Sequence, residues 1–421
     1  MKICIVGGGL AGLAFAVSLS KAVAEDRDVE ISVVEQRDFS SRGATFGLAL
    51  NGQVALQDIC PSLLEELKNI GILLPTGGYM LPWYCVRDGL LEHARRCQNV
   101  TIFTNTSVVS ATDKGVDDIL VTLEETSADG TVNTTTVKMD LLIGADGVHS
   151  SVRSLVGAPP AVSSHTKCWR GALNDLPPHL SHVLDIPTGK MIKTESGLFG
   201  IFNFNTSMAG FVSWVATSKN LDVMTPFEAL EGIEDSNDLT LAQGLLEAST
   251  QQEREFFTTL STIPLNMETG WGGKGRITLI GDAAHALRPA SGLGGSLAFE
   301  DAVLLTRAIT KHMDSDESID AALREFESLR FVRCQTILED QTRIAESGYG
   351  TAAKSFKWTP EYEKWVFAGP DADLKPPLNM YVGDEENVAE GGAVKRETNH
   401  RVLAARPTSS SISLSSSLSS S

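Results

Sequence analysis

The glycine-rich turn near the N-terminus constrains the fold of this chain most strongly. Residues 7–12 are Gly-Gly-Gly-Leu-Ala-Gly, a G-x-G-x-x-G pattern, and they lie between the apolar run Lys2–Val6 and a helical pattern that continues to about Ala24. A second apolar run, Val29–Val34, ends in Glu35, roughly 20 residues beyond the turn, where a carboxylate can bind a ribose. This order predicts a Rossmann-like unit with Lys2–Val6 as a central strand and a pyrophosphate at the helix N-terminus.

The turn therefore supplies the first group of candidate cofactor-binding residues. The motif alone does not distinguish NAD from FAD, because both dinucleotides share the pyrophosphate that the turn binds. The candidates are Gly7, Gly9, Leu10, Ala11, Gly12, Glu35 and Gln36.

A second informative stretch runs from Arg276 to Ala302. The apolar run Ile277–Ile280 predicts a buried strand, and Asp282 follows at its carboxyl end, where open α/β sheets place ligand-contacting groups. A loop containing Pro289 and several glycines then leads to a helix from about Ser296. Such a helix N-terminus favours negative charge, so it suits a ring that becomes an anion when it is reduced.

This stretch resembles the second flavin-binding motif of the FAD-dependent aromatic-ring hydroxylase-like monooxygenases, the family of p-hydroxybenzoate and salicylate hydroxylases. The resemblance implies that Asp282 holds the ribityl chain of FAD and that Pro289 lies near the reactive flavin edge. It also implies that Gly292, Leu293, Gly294 and Gly295 meet the isoalloxazine ring. Gly292-Leu293-Gly294 stands where the family usually has G-Q-G, and residues 295–301 are similar to the urate-hydroxylase and zeaxanthin-epoxidase-like branch.

The resemblance continues at other positions between residues 3 and 302. Residues 42–52 resemble the family's segment beside the flavin ring, Arg87 matches an arginine that reaches FAD, and Val109 matches a position whose backbone meets the adenine. Asp146, in Gly-Ala-Asp-Gly, matches the family motif that touches FAD, and Arg153 would supply charge to the nicotinamide cofactor's pyrophosphate. Two alternatives remain: Arg87 as a solvated helix-start arginine, and Asp146 as a helix N-cap, which is compatible with cofactor contact.

Residues 161–267 have a different periodicity, which predicts antiparallel strands followed by helices. The predicted strands lie around Thr166–Leu173, Leu198–Asn205 and Ala209–Ala216, and the predicted helical segments are Leu241–Glu247 and Gln251–Thr258. In the family this half faces the substrate. The candidate substrate residues are Trp169, Arg170, Phe202, Phe204 and Trp214, each with core packing as its alternative. The histidines here lack metal-like spacing, so we expect no metal site.

The expected fold class is α/β. A Rossmann-like FAD-binding domain would comprise residues 1–160 and 268–350, with an antiparallel-sheet substrate domain inserted at residues 161–267 and C-terminal helices packed on the nucleotide domain. Residues 351–421 would form a C-terminal extension that ends in a disordered serine-rich tail. We expect the chain beyond Pro370 to be dispensable for flavin binding, because its apolar content is too low to offset the entropy of ordering it.

Composition limits the partners. The net charge of −18 argues against binding to nucleic acid or anionic membranes, which select basic surfaces. No stretch is apolar enough to span a bilayer, and the glycines near the N-terminus argue against a cleaved signal peptide. The six cysteines form no metal-like pattern. We therefore expect a cytoplasmic monomer or homodimer.

The resemblance implies a reaction. NAD(P)H, as a transient co-substrate without a domain of its own, would reduce non-covalently bound FAD. O₂ would then form a flavin hydroperoxide that hydroxylates or epoxidises a small aromatic or polyene substrate. No catalytic base is identified. Two alternatives stay open: a flavin oxidoreductase of the prenyl-chain reductase type that inserts no oxygen, and a non-catalytic FAD-binding protein.

Overall fold

The computed structural model describes most of the chain. The described residues are 1–23, 27–40, 45–113, 118–174, 176–204, 208, 210–251, 255–265, 270–287, 292–315, 318–346, 358–373, 375–377 and 380–381. The strands are β1 (Lys2–Val6), β2 (Glu30–Val34), β3 (Thr45–Leu48), β4 (Ile72–Leu73), β5 (Tyr79–Pro82), β6 (Val100–Phe103), β7 (Thr106–Asp113), β8 (Ile119–Thr126), β9 (Val132–Met139), β10 (Leu141–Gly144), β11 (Val162–Leu173), β12 (Gly189–Lys193), β13 (Gly197–Asn203), β14 (Val212–Ser218), β15 (Glu255–Thr262) and β16 (Ile277–Leu279). The helices are α1 (Leu10–Ala22), α2 (Leu50–Ile59), α3 (Pro61–Ile70), α4 (Trp83–Arg96), α5 (Ser151–Leu155), α6 (Ser236–Gln251), α7 (Asp282–His285), α8 (Gly294–Met313), α9 (Ile319–Glu346) and α10 (Pro360–Phe367).

A parallel sheet forms the centre of the molecule. Its order is β16-β10-β1-β2-β6, so the predicted central position of β1 is confirmed. Strand β10 and most of β1 are fully buried, as expected for a parallel sheet covered on both faces. Helices α1 and α8 pack on each other beside this sheet, and α9 packs on α8. The predicted α/β class is therefore confirmed.

A second, antiparallel sheet has the order β12-β13-β14-β11-β15. The three predicted strands in this half are confirmed with shifted ends, and Leu241–Glu247 lies inside helix α6. The helix predicted at Gln251–Thr258 is wrong, because β15 begins at Glu255 and pairs with β11. Residues 255–262 are rich in aromatic and β-branched side chains, which favour a strand, and pairing with β11 decides the conformation.

Two three-stranded sheets complete the described β-structure. One has the order β3-β5-β4 and the other the order β7-β8-β9. The hairpin predicted at Asp129-Gly130 connects β8 to β9, and Gly130 there has a φ of +83°, which glycine adopts without strain. Val108 and Ser110 flank an irregularity in the pairing of β7 with β8.

The C-terminal part packs further along the chain than its composition suggests. Tyr381 is 4% exposed, pairs with Trp358 in an isolated bridge and donates a hydrogen bond to the Asp340 carboxylate on α9. The chain beyond Pro370 is therefore ordered at Tyr381 despite its low apolar content, because a single buried aromatic side chain can anchor such a segment. Its dispensability for flavin binding stays a prediction. The serine-rich tail lies outside the described residues. Among the described helices, none has the length and apolarity that crossing a membrane requires.

Candidate functional site

The carboxyl ends of four parallel strands open into one cavity of about 570 Å³. The residues that directly follow β1, β2 and β10 line it, and Asp282 lines it beyond β16. This is where open α/β sheets bind ligands. The structure brings eleven of the predicted cofactor residues to this wall: Gly7, Gly9, Leu10, Ala11, Glu35, Gln36, Asp146, Asp282, Gly292, Gly294 and Gly295.

The first glycine-rich turn is shaped by close backbone contacts. Gly7 has a φ of +108°, and a methyl group there would lie 2.4 Å from the Ala145 carbonyl oxygen. Gly12 packs against Gly7 instead of lining the cavity, whereas a methyl group on Gly9 would have no atom within 4 Å. The turn is therefore tight on its inner side and open toward the cavity.

The Glu35 carboxylate is held beside this turn. It accepts hydrogen bonds from the backbone N–H of Gly8, at 2.8 Å, and of Arg37, at 3.0 Å. Because both oxygens are fixed by main-chain donors, the carboxylate has a defined orientation at the end of β2.

Two helix N-termini face the cavity. Leu10 and Ala11 begin α1, Gly294 and Gly295 begin α8, and all four line the wall. Among the described residues, no side chain caps either helix through a hydrogen bond. The first N–H groups of a helix need acceptors and carry partial positive charge, so both ends can bind electronegative ligand groups.

Asp282 provides the negatively charged group between these helices. Gly281, with a φ of +59°, turns the chain between β16 and α7 and directs the Asp282 side chain to the cavity. Desolvation by the surrounding protein raises the pKa of Asp282, the positive charges of His285 and Arg170 lower it, and the negative charge of Asp301 raises it. The Asp282 side chain is exposed to the cavity, so its carboxylate can accept a hydrogen bond from a ligand hydroxyl.

Asp146 and Arg153 have structural partners. The Asp146 carboxylate accepts hydrogen bonds from the N–H groups of Ser151, at 2.6 Å, and Val152, at 3.2 Å, at the start of α5, while the residue also lines the cavity. The N-cap residue of α5 is Ser150, whose hydroxyl accepts from the Arg153 N–H. Arg153 is 2% exposed and donates to the carbonyl oxygens of Pro159 and Ala283. This placement does not present its guanidinium to the cavity or to the surface.

Three further predicted residues do not line the cavity. Arg87 is 3% exposed, donates to the Phe39 carbonyl oxygen at 2.8 Å and stacks on the Trp83 ring, which lines the cavity. Val109 turns its side chain outward, and its neighbour Val108 lines the wall instead. Leu293 is buried at the start of α8. Pro289 and residues 41–44 lie outside the described residues.

The second sheet contributes one face to the site. Arg170 lines the cavity, and Ala172, Ser213 and Phe202 share its face because paired residues of antiparallel strands point to the same side. Trp169 and Trp214 lie on the opposite face, in a core with α6, where the Trp214 Nε1–H donates to Ser249 at 2.7 Å. For these two tryptophans the structure shows core packing, the alternative to facing the substrate, because the alternation of the strands turns both away from the cavity.

Phe204 has a third placement. It is fully buried in a small apolar cluster between the second sheet and the sheet β3-β5-β4, and Phe202 packs at the edge of this cluster. Of the five candidate substrate residues, the structure places only Arg170 on the described cavity wall.

Several cavity residues were not predicted individually. They are Val6, Val34, Thr45, Phe46, Gly47, Trp83, Thr106, Ser107, Val108, Ala145, Gly147, His149, Ser151, Leu287 and Ala298. Thr45–Gly47 lie within residues 42–52, the segment that resembles the family's segment beside the flavin ring, and Ser151 lies beside the Asp146 motif. Trp83 was not predicted because it lies in no recognised motif, and an aromatic residue at the start of a helix is also typical of ordinary packing.

Comparison with known proteins identifies the family. A family model described as "FAD binding domain" matches residues 75–336, more than half of the chain. The chain belongs to this family. A second model, "NAD(P)-binding Rossmann-like domain", matches residues 5–59, which contain the first glycine-rich turn. FAD is therefore its cofactor, and the predicted resemblance to flavin monooxygenases is confirmed.

The chain is also similar to individual proteins. It is 28% identical over 393 residues to the chloroplastic zeaxanthin epoxidase of Nicotiana plumbaginifolia, covering 80% of this chain and 53% of that protein. It is 24% identical over 398 residues to the FAD-dependent monooxygenase ausM of Penicillium brasilianum, covering 82% of this chain and 78% of that protein. The chain thus spans about half the length of the first curated relative. The crystal structure of CtdE in complex with FAD has the same fold, with a TM-score of 0.68, 17% identity and coverage of 82% of this chain and 93% of that one.

The cavity wall fits FAD on physical grounds. The open side of Gly9 leaves room for a ligand to approach the backbone, and the N-terminus of α1 suits a pyrophosphate. The N-terminus of α8 suits the electron-rich end of the flavin ring, with Asp282 between the two helices. The protein's own residues thus offer donors to the pyrophosphate and to the flavin ring, and an acceptor, Asp282, between them.

Proposed function

We propose that this protein is an FAD-dependent monooxygenase that uses NAD(P)H and O₂ to hydroxylate or epoxidise a small aromatic or polyene substrate. The observation that carries the proposal is the composition of one cavity, in which Asp282, both glycine-rich helix starts and Arg170 of the second sheet meet. The names of the similar zeaxanthin epoxidase and of the monooxygenase ausM support oxygen insertion.

The residues at the cavity have separate tasks in this proposal. The α1 N-terminus and Glu35 hold the pyrophosphate and the adjacent ribose, Asp282 accepts a hydrogen bond from the ribityl chain, and the α8 N-terminus binds the ring. Bound FAD would supply the redox chemistry, accepting a hydride from NAD(P)H and activating O₂. The protein orients the reactants and excludes water.

The second sheet would cover the substrate. Arg170 lines the cavity and Phe202 lies on the same face of the sheet, so Arg170 can bind a polar group of the substrate and Phe202 can contact an apolar ring or chain. We assign residues 1–160 and 268–350 to the FAD-binding domain and residues 161–267 to the substrate domain, because the strands of the second sheet run from Val162 to Thr262.

The remaining assignments follow from composition. The net charge of −18 supports a small-molecule substrate and no nucleic-acid partner. We propose a cytoplasmic monomer or homodimer, which size-exclusion chromatography with light scattering and cell fractionation would test.

Product analysis tests the proposed function. Purified protein is supplied with NADH or NADPH and a panel of phenols, purines and polyenes under isotopically labelled O₂. We expect a substrate that stimulates NAD(P)H oxidation and gains one labelled oxygen atom. A substrate that is reduced without oxygen uptake, at the same rate under nitrogen, would instead identify an oxidoreductase that inserts no oxygen.

A further inference from the structure

A cluster of buried ionisable side chains lies behind Asp282. Glu300 and Asp301 belong to α8, Arg330 and Arg333 to α9, and His285 ends α7. Their side chains are between 0% and 6% exposed. Burying so many charges is costly unless each one is paired. The hydrogen-bond partners of these side chains therefore show which elements the cluster holds in place.

Asp301 connects the cluster to the turn that carries Asp282. Its Oδ2 accepts hydrogen bonds from the Gly281 N–H, at 2.8 Å, and from His285 Nε2, at 2.6 Å. Its Oδ1 accepts a hydrogen bond from Arg330 Nε at 2.6 Å. The carbonyl oxygen of Gly281 in turn accepts from the N–H groups of Ala284 and His285. One carboxylate therefore fixes both ends of the four-residue helix α7.

Glu300 extends the same network to the other cavity elements. It accepts hydrogen bonds from Arg330 and Arg333 and from the Asn51 side chain at the start of α2. Arg330 also donates to the Leu297 carbonyl oxygen near the start of α8. The Gly281 turn, the N-terminus of α8 and the helix after β3 thus share one set of buried ion pairs.

The charges of this cluster do not cancel when His285 is protonated. Two carboxylates then face three cations, which leaves one positive charge behind the negatively charged Asp282. Burial by itself would lower the pKa of His285, but the Asp301 carboxylate, helped by Cys334, raises it well above its usual value. The titratable groups that face His285 are Asp282 on its own helix, Asp301 on α8 and Cys334 on α9.

A metal centre is the alternative for part of this cluster. Atoms of His285, Asp301 and Cys334 that could ligate an ion lie within 4.8 Å of one another. However, both Asp301 oxygens already accept hydrogen bonds, one of them from the Arg330 guanidinium. A cation placed there would face this permanent positive charge, so the geometry favours a charge network.

We propose that His285 is a positioning residue that acts through Asp301 and Asp282. Its imidazolium keeps the Asp282 carboxylate ionised and oriented toward the cavity, and it places a positive charge near the flavin ring. This inference rests on the proposed FAD-binding role of the cavity. It makes the reduction potential of bound FAD, and not only the stability of the fold, depend on a side chain outside the cavity wall.

The test uses FAD affinity and reduction potential. His285→Gln keeps a side chain of similar size and removes the charge, and Asp301→Asn removes its partner carboxylate. Glu327→Gln is the matched control, because Glu327 is also a buried carboxyl group and belongs to α9. It accepts a hydrogen bond from the Thr278 hydroxyl of β16 at 2.6 Å and does not contact Gly281 or His285. Apoprotein is titrated with FAD by fluorescence quenching, and the potential is measured by spectroelectrochemical titration.

We expect His285→Gln to raise the dissociation constant of FAD at least about tenfold, the effect of weakening one charge-assisted hydrogen bond. We also expect a more negative reduction potential, because reduced anionic flavin loses a nearby positive charge, while Glu327→Gln changes neither quantity. An unchanged potential in His285→Gln, or an equal change in Glu327→Gln, would overturn the inference. Wild-type protein without affinity for FAD would overturn the proposed function itself, and this inference with it.

Wild-type protein gives a measurement that does not depend on the folding of a variant. In protein with isotopically labelled histidine, the His285 nitrogens should have the chemical shifts of an imidazolium at neutral pH. A neutral His285 ring under these conditions would contradict the assignment.

Discussion

Gly7 shows how a single residue limits what the first turn tolerates. Its φ is +108°, and an added methyl group would lie 2.4 Å from the Ala145 carbonyl oxygen. We expect Gly7→Ala to lower the free energy of unfolding by about 2–4 kcal/mol, the sum of backbone strain and a steric clash with main chain. Gly157→Ala is the control, since Gly157 has a φ of +75° but no atom within 4 Å of the added methyl group. Urea unfolding that gives equal losses for both variants would contradict the clash.

His285 predicts a pH dependence at the same scale. Its pKa is raised well above the usual value in the folded protein because, despite burial, Asp301 favours the charged ring. The stability that this pair contributes is therefore complete below about pH 6.5, the usual histidine pKa, and is lost as pH rises through the higher folded value. The free energy of unfolding of His285→Gln, subtracted from that of wild type, should shrink as pH increases. A difference that grows with pH would show that the folded pKa is lowered.

Individual residues were predictable where a motif dictates the chemistry. Asp282 and the glycines follow strands in an order that packing does not require, so they could be placed at the cavity from sequence. The tryptophans could not, because residues 169 and 214 alternate with cavity-facing neighbours and nothing local says which face is covered. His285 and Asp301 were missed as a pair although they are 16 residues apart, because no local spacing pattern shows that α7 packs against α8.

At the scale of elements, local propensity predicted most boundaries and failed where tertiary pairing decides. The strands of the central sheet and the hairpin at Gly130 have strong local signals. Residues 255–262 form β15 because they pair with the edge of β11. The charged residues that precede them give no local signal of this pairing. The order of the C-terminal segment was misjudged for a related reason, since average composition does not show where a single aromatic side chain, here Tyr381, is buried.

Truncation tests the C-terminal segment. A chain that ends at Tyr381 should keep the stability of the full-length chain, whereas one that ends at Pro370 should lose about 2 kcal/mol or more. The shorter chain lacks the buried Tyr381, the Asp371–Arg307 ion pair and the Asp373 carbonyl oxygen that accepts from Trp365. Thermal unfolding of the two chains under identical conditions gives the comparison. Equal melting temperatures would show that this segment contributes nothing.

The whole molecule gathers its cofactor residues from distant parts of the chain. The cavity wall extends from Val6 to Ala298, and the parallel sheet brings these parts together at the carboxyl ends of its strands. Sequence order and motif spacing were enough to predict this convergence, because parallel strands must end at one edge. The face that the second sheet presents to the cavity required the structure.

The occupancy of FAD in purified protein tests the central claim most directly. The Asp282 side chain is exposed to the cavity, where a charge-assisted hydrogen bond to bound FAD would contribute about 1.5–3 kcal/mol. The Glu35 carboxylate already accepts hydrogen bonds from the main-chain N–H groups of Gly8 and Arg37, so less of its hydrogen-bonding capacity is left for the ligand. Its replacement should therefore weaken FAD binding less. We predict that wild type carries one FAD that acid precipitation releases, that Glu35→Ala retains part of it, and that Asp282→Ala loses it. Equal FAD occupancy in wild type and Asp282→Ala would contradict the account.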